Sequence, residues 1–168
     1  GVSIGAFIDR TENMTADLSP NTQAILLLTA PLMLGHGERS GDLLTPGEFK
    51  KLARILRDYE LQPADLLTSD LESLQEEWRR VVDIDRMKRL LDRGFLLSQA
   101  VERWQTRAIW VMSPTDDGYP SRLKVGMEES APPILYGCGD AAMLDAGGLA
   151  VVGSRNVGDT LVEYTERI

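Results

Sequence analysis

Over roughly its first hundred residues the chain repeats apolar positions at helical spacing, and then it changes to short continuous apolar runs. Ser19-Pro20 is a side-chain cap followed by proline at the first helical position. Behind it, Ile25, Leu28, Leu32 and Met33 form a stripe that predicts a helix closed by Gly35. Thr45-Pro46-Gly47-Glu48 has the reciprocal capping-box pattern and opens a second helix, with Phe49, Leu52, Ala53 and Leu56 on one face. Pro63 begins a short helical turn, and Ser69 or Asp70 can cap a segment carrying Leu71, Leu74 and Trp78. Ile84, Met87, Leu90 and Leu91 predict a helix stopped by Gly94, with Arg86, Arg89 and Arg93 on a solvated outer face. Ser98 then starts another helix, with Val101 and Trp104 turned inward.

The period changes at Arg107. Ala108–Met112 and Ile134–Tyr136 read as buried strands, separated by turns built on Pro114, Asp116, Asp117, Gly118, Pro120 and Pro132-Pro133. A third run, Leu149–Val152, is broken by Gly153, Ser154, Arg155 and Asn156, and a helix-compatible segment follows from Asp159. That order is the opening strand–turn–helix unit of a doubly wound sheet, and one such unit cannot bury itself. The expected organisation is therefore α+β or α/β. Residues 1–18 form a partly ordered lead-in, residues 19–107 a helical domain, and residues 108–168 the first strands of a truncated Rossmann-like domain. On this reading the chain is the front part of a longer protein.

Composition narrows the functions. The 168 residues carry 18 Lys and Arg against 26 Asp and Glu, a net charge of −8, so no general basic surface is available to grip a polyanion. The tail is the more acidic part: from Thr115 onward Arg122, Lys124, Arg155 and Arg167 stand against nine carboxylates. Lys50, Lys51, Arg54 and Arg57 could touch nucleic acid or form a solvated face, and the interleaved Glu48, Asp58 and Glu60 favour the solvated face. Cys138 is the only cysteine, which excludes an internal disulfide and a cysteine-based zinc site, and it reads as a buried, inert thiol. The only histidine, His36, sits in a Gly-His-Gly turn and reads as a loop residue. The apolar stretch near Ala24–Leu34 is too short to span a bilayer and lacks the basic flank of a signal peptide, so a cytoplasmic location is expected.

No catalytic constellation, cofactor motif or metal site stands out. The adjacent carboxylates Asp116/Asp117 and Glu128/Glu129 suit solvated loops better than acid–base work, and Trp78, Trp104 and Trp110 suit core packing better than base stacking. The credible site is the turn Gly153–Ser154–Arg155–Asn156. Unpaired backbone N–H groups at a helix start favour a phosphate, Ser154 can add a hydroxyl and Arg155 a bidentate charge. The turn has neither the glycine spacing of a dinucleotide fingerprint nor the Gly-Lys-Ser/Thr of a P-loop. Gly153 could equally serve close strand–helix packing, with Arg155 in solvent.

Three strings in the second half are more specific: A-I-W-V-M-S-P-T-D-D-G-Y-P-S-R-L-K, A-P-P-I-L-Y-G-C-G-D and L-A-V-V-G-S-R. In order and spacing over about 60 residues they resemble the DNA-processing protein A (DprA/Smf) family, through Tyr119, Pro120, Leu123, Pro132, Pro133, Leu135, Tyr136, Gly139 and Val152–Arg155. The resemblance implies a non-catalytic protein that binds and protects single-stranded DNA, forms a homodimer through parts beyond Ile168, and loads RecA during natural transformation or recombination. It also implies phosphate-contacting roles for Ser154 and Arg155. Only Asn156 and Val157 separate Arg155 from Gly158, fewer residues than the family commonly shows, which leaves the placement of Asn156 open. Two other functions compete: a nucleotide-processing hydrolase similar to the "lonely guy" phosphoribohydrolases, and a helical protein-interaction module.

Overall fold

The structure is a computed structural model that describes residues 18–33, 42–68, 78–127 and 131–147. Its helices are α1 (Pro20–Thr29), α2 (Pro46–Asp58), α3 (Asp65–Thr68), α4 (Ile84–Leu91), α5 (Gly94–Thr106) and α6 (Ser121–Met127); its strands are β1 (Ile109–Met112) and β2 (Leu135–Cys138), and a 3-10 turn covers Ala141–Leu144. The chain is α+β. The two described strands pair antiparallel, with Trp110 opposite Gly137 and Val111 opposite Tyr136.

Helix α1 is the centre of the packing. Thr22, Ala24, Ile25, Leu26, Leu27 and Leu28 are all buried along it, so it is enclosed on every side rather than striped like a surface helix. Leu28 joins Leu52, Leu56, Trp78, Met87 and Leu90 in one apolar cluster. Leu26 and Leu27 join Leu97, Ala100 and Val101 in another, against which Trp104, Val111 and Ile134 pack. Each fully buried leucine contributes about 1.5–3 kcal/mol relative to exposure, so the leucines of this one helix outweigh its lack of helix-face charge pairs.

Ser19 caps α1 as expected, its hydroxyl accepting from the Thr22 N–H at 3.2 Å. The helix stops at Thr29, six residues before the predicted glycine, and Ala30 is extended (φ −97°, ψ 137°). Pro31 is the cause: it has no N–H to donate, and its ring disfavours helical backbone at the residue before it. The capping box at α2 forms as read, with the Thr45 N–H donating to Glu48 at 2.8 Å and the Glu48 N–H to Thr45 Oγ1 at 3.2 Å. Gly94 does not end α4. That helix closes at Leu91, and Gly94 opens α5 with no positive φ. Ser98, expected to start a helix, lies inside α5 and donates its hydroxyl to the Gly94 carbonyl one turn back. Leu96 and Leu97, which pack on the second apolar cluster while Phe95 stays exposed, carry the helix through both positions. The segment predicted around Leu71 and Leu74, and His36, lie outside the described residues.

The arginine face of α4 is not simply solvated. Arg86 pairs with Glu48 at 2.7 Å and donates to the carbonyls of Asp42 and Leu43, tying α4 to the start of α2. Arg93 donates to the Ala30 carbonyl at 2.6 Å, and Arg103 of α5 donates to the Leu32 carbonyl. The Ala30 carbonyl lies at the end of α1, where helix geometry leaves acceptors without intrahelical partners, and those of Leu32, Asp42 and Leu43 lie in the non-helical segments that follow α1 and precede α2.

Glu48 therefore serves both the capping box and the ion pair. The Arg86 guanidinium, followed by the Thr45 backbone N–H, holds its carboxyl at about 2 instead of 4.5. A depressed folded-state value means the stabilisation is present above the unfolded value and is lost as pH falls toward the folded one. The group is close to solvent, so the loss is on the order of 1–2 kcal/mol rather than the full equivalent of the shift. Urea midpoints at about pH 6 and about pH 3 check this: Glu48→Gln lowers stability at the higher pH, and the deficit shrinks at the lower one.

Candidate nucleic-acid interface

The turn Gly153–Ser154–Arg155–Asn156 lies outside the described residues. The residues that lead into it are described, and they form a cross-braced base. Tyr119 and Pro120 are buried, and the Tyr119 hydroxyl donates to the Pro132 carbonyl at 3.1 Å. Burial pushes the Tyr119 phenol up from its ordinary value. The Tyr-Pro and Pro-Pro segments, separate in sequence, are thus in direct contact. Asp145 accepts from the Ser121 N–H, the Ser121 hydroxyl and the Arg122 N–H, capping α6 from a residue 24 positions on. Those backbone hydrogen bonds hold the Asp145 carboxyl below its usual value.

The strand pair is closed by an aromatic residue lying across a glycine. A Cβ at Gly137 would sit 2.2 Å from Cζ2 of Trp110, so only glycine admits the indole opposite it. The Trp110 indole N–H donates to the carbonyl of Gly139 at 2.9 Å, and Gly139 itself has a φ of +82°. On the other face, Trp104 meets Tyr136 edge-on with ring centroids 5.3 Å apart. Trp78 is fully buried as expected, whereas Trp104 and Trp110 are half-buried. Cys138, expected to be buried, is exposed at the end of β2, where the strand's alternation puts it on the same outer face as Tyr136.

The largest departure from the sequence reading is Asp116. Expected in a solvated loop, its carboxylate accepts from the hydroxyls of Ser19 and Thr22 and from the Ser113 N–H, the last two at 2.6 and 2.7 Å. Thr22 and Ser113 are completely buried, and their hydroxyls lie 2.8 Å apart. Desolvation pushes the Asp116 carboxyl up, but the hydrogen bonds from Ser19, Thr22 and Ser113 together outweigh it and leave the group below its ordinary value. The adjacent Asp117 is exposed, as read.

A cleft of about 720 Å³ opens between α2 and this base, with Ile25, Phe49 and Ala53 on one side and Pro114, Pro132 and Pro133 on the other. Lys50, Arg54, Arg57 and Lys124 also line it. The sequence reading treated the α2 cations as a face by themselves; the structure adds Lys124 from α6. Among the described residues no group of His, Cys, Asp or Glu could hold a metal ion, and no helix is long and apolar enough to cross a membrane.

Compared with known proteins, residues 110–168 match the family model described as DNA recombination-mediator protein A. Over this segment the chain is similar to the DprA family. The match begins at Trp110 and takes in the Tyr119–Pro132 brace, the Trp110–Gly137 contact and the Gly153–Asn156 turn. No curated protein and no solved structure matches the chain.

Removing the Asp116 carboxylate takes the acceptor from the Ser113 N–H and leaves the Ser19 and Thr22 hydroxyls only their contacts with Thr22 and Ser113. Asp116→Ala is expected to lower stability by about 2–3 kcal/mol, read as a lower urea midpoint at unchanged m-value. Asp117→Ala, one residue on, stays within about 0.5 kcal/mol of the parent.

Proposed function

We propose that this DprA-family chain takes part in binding single-stranded DNA for recombination and natural transformation, protecting the strand and helping to load RecA. It acts in the cytoplasm by binding rather than by catalysis, and as a homodimer. The match of residues 110–168 to a recombination-mediator family carries this reading, because it runs through the Gly-Ser-Arg turn. In the proposed mechanism Gly153 allows close backbone approach, Ser154 donates a hydroxyl and Arg155 a two-pronged charge to a DNA phosphate, with Asn156 beside them. Sequence-independent contacts of this kind suit a mediator, which must accept any strand.

The acidic balance of the chain fits a local contact. At a net charge of −8 the long-range field opposes DNA, so affinity has to come from close, charge-assisted hydrogen bonds. Such a contact is worth on the order of 1.5–3 kcal/mol. In the protein carrying this segment, Arg155→Ala is therefore expected to weaken binding of labelled oligo-dT by roughly tenfold or more at matched salt. Arg155→Lys retains the charge but not the fork and falls between the two. An unchanged affinity for Arg155→Ala would remove the turn from the DNA site.

A further inference from the structure

Helix α6 begins after a residue that cannot cap it. Pro120 precedes Ser121 and is buried, and its side chain has no oxygen to accept from the first turn, where helix geometry leaves N–H groups without partners. Asp145 supplies the acceptor from 24 residues on: its oxygens take the Ser121 N–H at 3.1 Å, the Ser121 hydroxyl at 3.0 Å and the Arg122 N–H at 3.3 Å. A second contact follows two residues later. Gly147 has a φ of +83°, and a Cβ there would stand 3.0 Å from Nη1 of Arg122, so the guanidinium lies against bare backbone. The carboxylate and the glycine together clamp the chain to α6. We propose that Asp145 is a positioning residue for DNA binding, holding the base from which the Gly153–Asn156 turn is presented; this rests on that turn being the phosphate contact.

Three features support that role. The clamp is close to the turn along the chain: the residue steps from Gly147 to Gly153 reach at most about 20 Å, so little chain is available to absorb a shift at the clamp. Both of its sides are already fixed. Asp145 directly follows the 3-10 turn Ala141–Leu144, which Asp140 caps by accepting from the Ala142 N–H at 2.9 Å. Helix α6 directly follows Tyr119-Pro120, whose tyrosine hydroxyl holds the Pro132 carbonyl. Finally, no residue of the 3-10 turn is buried, so among the described residues hydrogen bonding rather than apolar packing ties it to α6. The charge of Asp145 separates positioning from direct electrostatics. A carboxylate acting on DNA only through its field repels phosphates, and its removal would tighten binding. A carboxylate that supports the site without touching the strand gives the opposite sign, a loss of a few-fold.

Fluorescence anisotropy of labelled oligo-dT at matched salt, with the protein carrying this segment, tests the proposal. Asp145→Ala is expected to weaken binding by about threefold or more. Asp145→Asn removes the same charge but keeps one accepting oxygen, and its affinity is expected to fall between those of Asp145→Ala and the parent. Gly147→Ala, which strains the backbone and displaces the Arg122 guanidinium, is expected to give a similar loss by an independent route, with circular dichroism confirming that the variants fold. In an Arg155→Ala background Asp145→Ala is expected to cost nothing further, because the contact it positions is already gone. Parent-like or tighter binding by Asp145→Ala or by Gly147→Ala overturns the proposal. Equal losses in Asp145→Ala and Asp145→Asn also overturn it, as do losses that multiply in the Asp145→Ala, Arg155→Ala double variant. If Arg155→Ala weakens binding and Asp145→Ala does not, the clamp alone fails. If Arg155→Ala has no effect, the turn fails as the DNA contact and the clamp falls with it.

Discussion

The carboxylate of Asp116 is the constraint on which the arrangement of the two halves depends. It joins the cap of α1 to the end of β1 across 97 residues of sequence, through the hydroxyl of Ser19 on one oxygen and Thr22 and the Ser113 N–H on the other. Apolar contacts alone would leave the sheet free to slide over α1, because leucine surfaces are tolerant of small displacements. Three directional hydrogen bonds to one charged group are not, and charge-assisted bonds are among the strongest available to a side chain. Burying an unsatisfied carboxylate would be costly, so the network holds only in the one register that supplies all its donors.

From that point order passes in two directions. Toward the N-terminal side, Ser19 and Thr22 are the first turn of α1, so fixing them fixes the helix that both apolar clusters share. Arginines then secure the far end: Arg93 and Arg103 take the carbonyls of Ala30 and Leu32, and Arg86 takes those of Asp42 and Leu43. Toward the C-terminal side, Ser113 leads through Asp116 to Tyr119, whose hydroxyl reaches Pro132 just before β2. The Tyr-Pro and Pro-Pro residues that carry the DprA resemblance thus act on each other. Their described role is to brace the strand pair that precedes the Gly-Ser-Arg turn.

Local signals were the legible part of the fold. Ser19-Pro20 and the Thr45–Glu48 box depend on residues within one turn, so their chemistry can be read from adjacent letters, and both caps form. The helix end at Thr29 was equally local but was masked by a stripe of leucines that continues past Pro31. Leu32 is buried because the chain just after the helix stays in the core, not because the helix continues. Gly94 and Ser98 misled for a related reason: their preferences are weak, and the apolar run between them packs as one helix. Asp116 was illegible, since nothing beside it in sequence reveals that Ser19 and Thr22 come within reach. Arg86 was hidden in the same way, its partner Glu48 lying 38 residues away. Of the candidate site, the similarity to the DprA family was legible in the sequence and the Gly153–Asn156 turn lies outside the described residues, while the cleft required knowing that α6 brings Lys124 to the cations of α2.

The placement of these positive groups bears on how an acidic chain selects among anions. Spread evenly, eighteen cations among twenty-six acids would give weak attraction to every anion and selectivity for none. Here several are committed to internal tasks, as with Arg86 on Glu48 and Arg93 on a helix-end carbonyl, and those charges contribute little beyond their own contacts. Lys50, Arg54, Arg57 and Lys124 line a cleft that also carries apolar surface, and Arg155 belongs to the segment that matches the DprA family. A negative surround discourages loose association with a polyanion, so a partner must satisfy the local hydrogen bonds or fill the local volume in order to stay. Affinity is then set by fit at a few residues, and the same acidity that weakens indiscriminate binding sharpens the difference between a seated partner and a passing one.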